Sequence, residues 1–182
     1  KKQDWFIYAE IAENYYFKGE NEKSLEYAVK AALGPGQVES KVNLYSLLGE
    51  LLEEEYPEES IKHYYLEYSV RLHNEWGIEE SLEEKIDEAG LDSENTEYWK
   101  IEKELKKFWN ELKFKNQQPK YGIISKILSH GKAGFIQGED GNSYHFIKFD
   151  FKGDENDFCE MTSVSFYTED RFDKKKGVMR PN

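Results

Sequence analysis

The side chains that most often carry chemistry are sparse and scattered here. His63 and His73, two of the four His, stand ten residues apart. They lack the i, i+4 spacing that sets two imidazoles on one helix face for zinc, and both read as surface or groove residues of a single helix. Cys159 is the only Cys. It falls in a predicted strand with no His nearby in sequence, so nothing activates its thiol. Glu53-Glu54-Glu55 and Glu58-Glu59 read as solvated helix ends. Asp154, Glu155 and Asp157 lack calcium-loop spacing and read as a polar connection between strands. Neither a phosphate loop nor a Gly-x-Ser-x-Gly elbow occurs. The expectation is a chain with no enzyme activity, no cofactor and no metal.

The elements that must position any other function divide by charge. Residues 1–118 carry 15 basic and 27 acidic side chains, whereas residues 119–182 carry ten of each. Sequence-independent nucleic-acid binding runs on phosphate neutralisation, so the acidic stretch is unsuited to it. Cys159, standing alone, excludes an internal disulfide and fits a reducing, cytoplasmic compartment. No run approaches 18 apolar residues, so no membrane helix is expected. The start, Lys1-Lys2-Gln3-Asp4-Trp5, reads as the beginning of a piece of a longer chain.

Residues 4–116 have helical periodicity throughout. Trp5, Tyr8, Ile11, Ala12, Tyr15 and Tyr16 recur at steps of three and four, as do Leu25, Ala28, Val29 and Ala32. Gly34-Pro35-Gly36 stops the second helix. Further helices are predicted over 42–55, 58–75, 82–89 and 96–115. Gly77 is placed just past the end of the fourth helix, and Ser81 with Glu84 has capping-box spacing for the fifth. The last helix carries an apolar stripe of Tyr98, Ile101, Leu105, Phe108, Trp109 and Leu112. Helical hairpins that cannot bury their faces alone point to stacked repeats; a generic helical bundle remains the alternative.

After Gln117-Gln118-Pro119 the period drops to two. Tyr121, Ile123, Ser125 and Ile127 alternate with Gly122, Ile124, Lys126 and Leu128, and Tyr144, Phe146 and Lys148 alternate with His145, Ile147 and Phe149. Asp140-Gly141 signals a hairpin. Strands are also predicted around Val164–Thr168 and over 177–182. Four or five short strands suit a closed barrel, which removes sheet edges. The fold class is therefore α+β in two parts, a helical domain over 1–117 and a five-stranded barrel over 118–182.

Two resemblances follow from particular residues. Residues 8–36 resemble a tetratricopeptide repeat through Tyr8, Ile11-Ala12, Tyr15, Gly19, Ser24, Ala31 and Pro35 or Gly36, with a weaker second copy carrying Leu48-Gly49 and Ser60-Ile61. Residues 122–136, ending in Gly134-Phe135-Ile136, resemble the first ribonucleoprotein motif region of a cold-shock domain of the oligonucleotide-binding fold. His145-Phe146-Ile147-Lys148-Phe149 resembles its second motif, and Lys176–Asn182 its last strand.

The cold-shock resemblance implies single-stranded RNA or DNA as partner, with Phe135, Phe146 and Phe149 as stacking residues. Lys126, Ile127 and Ala133 stand where that family has aromatics, and Lys148 where it has His. Lys126, Lys148, Lys132 and Lys174-Lys175-Lys176 become candidate phosphate contacts, and Tyr121, Tyr144 and His145 candidate replacement rings. Phe146 and Phe149, three residues apart, fall on opposite faces of an undistorted strand. The repeat resemblance implies a protein partner for the helical part. A protein-binding scaffold without nucleic acid, and the C-terminal targeting region of a larger enzyme, stay open as alternatives.

Overall fold

The computed structural model describes residues 4–168, 170–173 and 178–181. It divides into two compact units, Lys1–Asn116 and Gln117–Asn182: a helical part followed by an antiparallel sheet.

The first unit contains α1 (Trp5–Phe17), α2 (Asn21–Leu33), α3 (Val42–Leu52), α4 (Pro57–His73), α5 (Glu80–Glu88) and α6 (Tyr98–Phe114). α1 packs on α2 and α3 on α4, while α6 packs on both α2 and α4. Two hydrogen bonds fasten the two hairpins in the same way. Ser24 Oγ on α2 donates to the Ala12 carbonyl of α1 (2.8 Å), and Ser60 Oγ on α4 donates to the Gly49 carbonyl of α3 (2.7 Å). Small residues let these helices approach: a Cβ on Gly49 would lie 2.7 Å from the Tyr64 ring. Lys41 is buried, with Nζ donating to the Ala32 and Gly34 carbonyls at the end of α2 (2.9 and 2.7 Å); burial lowers its pKa to about 8.

Two helix-end expectations and one burial expectation change. α4 ends at His73, and Glu75 (φ 56°), not Gly77, takes the left-handed position, with the Trp76 amide donating to the Arg71 carbonyl (2.9 Å). A Schellman-type ending sets this position by backbone hydrogen bonding, whichever residue occupies it. α5 begins at Glu80 behind Glu79, so Ser81 is already inside the helix and forms no capping box. His63 is not a surface residue. It is fully buried between α4 and α6, where the ring edge is needed as a hydrogen-bond acceptor for Trp109.

The second unit contains β1 (Lys120–Ile127), β2 (Ala133–Gly138), β3 (Ser143–Ile147), β4 (Ser163–Phe166), β5 (Asp170–Asp173) and β6 (Val178–Pro181). The sequence reading expects five strands in one closed barrel. Among the described residues the strands form a four-stranded sheet, ordered β3-β2-β1-β4 and not closed, and a separate antiparallel pair, β5-β6. The last two strands satisfy each other's ladder, so neither joins β3 to β4. Cys159 lies outside the strands, exposed, with Sγ 3.2 Å from Thr162 Oγ1.

One face of the sheet holds the core: Ile124, Ile136 and Tyr144, with Ile127, Phe146, Phe151, Val164 and Phe166 packed against them. Gly134 makes room for this packing, because a Cβ there would lie 2.8 Å from the Phe146 ring. The Asp140-Gly141 turn forms as expected, with Gly141 at φ 81° and the Asn142 amide donating to Asp140 Oδ1 (3.0 Å). Lys120 and Tyr144 also hydrogen-bond Asp140 and hold its carboxyl well below the usual carboxylate range.

Candidate nucleic-acid interface

The opposite face of the sheet is built by strand parity and one bulge. Phe135 pairs with His145 across β2 and β3, and Ile136 with Tyr144 in the next position. Residues paired across strands share a face, so Phe135 and His145 stand together on the side away from the core. Their ring centroids are 5.5 Å apart at an interplanar angle of 71°.

Uninterrupted alternation sets Lys126 on the core side, with Ile124. The β1–β2 register shifts between Ile124 and Lys126, and Lys126 pairs with Phe135. A bulge gives one strand an extra residue and reverses the parity beyond it. Lys126 is thereby exposed in the Phe135–His145 row, while Ile127 turns to the core. Ser125 Oγ donates to the Phe135 carbonyl at the bulge (3.1 Å).

The six residues singled out from sequence do not converge. Phe135 and Lys126 share the outer face. Lys132 is exposed at the head of β2, where its amide donates to His130 Nδ1 (3.0 Å) and its carbonyl accepts from the Lys148 amide (2.9 Å). Among the described residues, neither Lys126 nor Lys132 has a carboxylate partner. Phe146 is half-buried on the core side of the sheet, edge-on to Phe158 (5.8 Å between centroids), and so lies on the opposite face from Phe135. Phe149 follows β3 in a 3₁₀ turn (Lys148–Asp150), where it is 84% exposed and Lys152 Nζ sits 5.5 Å from its ring. Lys148 Nζ is 2.7 Å from Glu155, whose pKa it lowers, and lies over the Phe158 ring. A phosphate would have to displace Glu155. Lys174-Lys175-Lys176 lie outside the described residues.

Of the candidate replacement rings, His145 and Tyr121 lie on the outer face and Tyr144 in the core. Ile123 and Ile147, 41% and 37% exposed, widen the apolar area there. Sequence reasoning left these two aliphatic residues out, although their strand parity places them with Tyr121 and His145.

Elsewhere, among the described residues, no group of three or more His, Cys, Asp or Glu side chains is placed to hold a metal ion. A shallow depression of about 170 Å³ between α4 and α6 has charges of both signs, from Glu59, Lys62, Glu104 and Lys107. No helix among the described residues is long and apolar enough to cross a membrane. Comparison with protein-family models, curated proteins and solved structures finds no match.

Proposed function

We propose that the sheet unit is a cold-shock-like module that holds single-stranded RNA or DNA, and that the tetratricopeptide-like helical unit engages a protein partner. The chain would then be an adaptor working in a reducing, cytoplasmic setting, with no catalytic step of its own. One observation carries the nucleic-acid reading: Phe135, His145 and Lys126 form a row of two rings and a cation on the solvent face of three adjacent strands. Bases stack on such rings for roughly 1–3 kcal/mol each, and Lys neutralises phosphate. Phe149 is exposed as well, in the turn that follows β3.

The strand order supports the oligonucleotide-binding likeness. In a five-stranded Greek-key barrel of that kind the face of strands two and three receives the ligand. β4 pairs with β1, and β5 pairs with β6. The repeat likeness rests on the matched Ser24–Ala12 and Ser60–Gly49 bonds. The acidic helical unit would repel phosphate and confine it to the sheet.

Fluorescence anisotropy with single-stranded oligonucleotides at 50 and 200 mM salt tests this reading. Saturable binding that weakens with salt is expected, and Phe135→Ala or His145→Ala should each remove about 1–3 kcal/mol. No saturable binding at 50 mM salt sinks it. A second reading, a protein-binding sheet, is favoured by exposed Ile123 and Ile147. A pull-down that recovers protein insensitive to nuclease, with no oligonucleotide binding, would select it.

A further inference from the structure

The helical unit covers its two sides unequally. α6 packs on α2 and α4, and its Trp109 stacks on Tyr45 of α3. On α1 another side is left open. Phe6, Glu10, Glu13 and Phe17 are all exposed, and they recur at steps of four, three and four. That spacing places them along one helix face, with about 16 Å between the two Phe at 1.5 Å per residue. Phe17 is 84% exposed and Phe6 49%. Two large apolar side chains on one exposed helix face are available to anchor a partner.

The charged residues within α1 are of one sign. Neither α1 nor α3 contains a Lys or Arg, whereas α2, α4 and α6 all do. The surface is thus two apolar anchors separated by two carboxylates.

We propose that the Phe6–Phe17 stripe of α1 is the docking face for a cationic helical segment of a partner protein, with two apolar residues eleven apart and Lys or Arg between them. Charge complementarity selects the occupant: a neutral or acidic helix would bury Glu10 and Glu13 unpaired or opposite like charge. The 4-3-4 spacing reads identically in both chain directions, so the same pattern fits a parallel or an antiparallel helix. The proposal rests on the helical unit being the protein-binding part of the adaptor, and is independent of nucleic-acid binding.

The test uses the full chain and synthetic helical peptides: one with Leu eleven residues apart and Lys four and seven residues after the first Leu, one of the same composition scrambled, and one with Glu for Lys. Titration calorimetry at low and high salt should show saturable binding of the patterned peptide, at least tenfold weaker for the scrambled one and weakened by salt. Phe17→Ala should weaken it about tenfold. Glu10→Lys with Glu13→Lys should abolish it and transfer binding to the Glu peptide. All four positions are exposed, and unchanged circular dichroism checks that each variant folds. No binding of the patterned peptide, equal binding of the scrambled one, or no transfer on charge reversal overturns the proposal. A partner recovered through the helical unit whose binding ignores Phe6→Ala and Phe17→Ala also overturns this face, but leaves the protein-binding reading standing.

Discussion

The helical unit buries polar side chains, and the sheet unit, among the described residues, buries none. Every buried polar or charged side chain among the described residues (Ser24, Lys41, Ser60, His63, Glu67 and Ser69) lies in the helical unit. The sheet buries Ile124, Ala133, Ile136 and Tyr144 and leaves Tyr121, Ile123, Ile147, Phe149 and Met161 exposed. Buried polar groups are costly unless hydrogen-bonded. Five of the six find partners: Ser46 and Arg71 bond Glu67, and Trp109 Nε1 donates to His63 Nε2 (2.8 Å) while His63 Nδ1 lies 2.6 Å from the Glu59 carbonyl. The helices are therefore tuned for a specific interior that depends on protonation. The sheet has a small interior and leaves several large residues at its surface.

Trp109→Ala attacks the hidden network hardest. It should destabilise the helical unit by about 3–5 kcal/mol, through lost burial and an unpaired His63, with the shift read from urea transitions. Phe135→Ala on the outer face of the sheet should leave the melt almost unmoved. A large loss there would break the comparison.

Acid sharpens the contrast. Burial lowers the His63 pKa to about 4, below its ordinary value of 6.5, and leaves the ring neutral with a proton on Nδ1. The unfolded chain binds the proton first. Stability is therefore fully present above pH 6.5 and falls as pH drops towards 4, by about 3 kcal/mol in all. Urea midpoints across pH 4–7 should slope in the wild type and slope less in His63→Gln, which cannot titrate. Equal slopes would refute the neutral, buried assignment.

Gly49→Ala drives a methyl into the Tyr64 ring between α3 and α4. It should cost about 1–3 kcal/mol by overpacking, measurable in the same melts. The smallest effect goes the other way. Glu75 holds a left-handed conformation that Gly adopts without strain, so Glu75→Gly should raise stability by up to about 1 kcal/mol.

Much of this arrangement was legible in the residues. Steps of three and four located the helices within a few residues, because each apolar stripe had a core to face. Strand parity put Tyr144 with Phe146 and His145 with Ile147. Two things were not legible. The bulge at Ser125 leaves no compositional mark, yet it decides whether Lys126 meets solvent or core. The burial of His63 depends on Trp109, 46 residues away, a pairing no local pattern announces. The motif likeness ranked Phe146 above His145 as a stacking residue, but cross-strand pairing puts His145 beside Phe135.

Gly134 and Phe146 share one volume, as do Gly49 and Tyr64: in each pair the ring fills the space a side chain would need. In evolutionary terms these are joint heritable characters. A larger residue at Gly49 is accessible only to a lineage that has already shrunk Tyr64, so that pair should change together, whereas Gly134 is also held by the Lys126 carbonyl oxygen, 2.5 Å from where its Cβ would lie, and should not change at all.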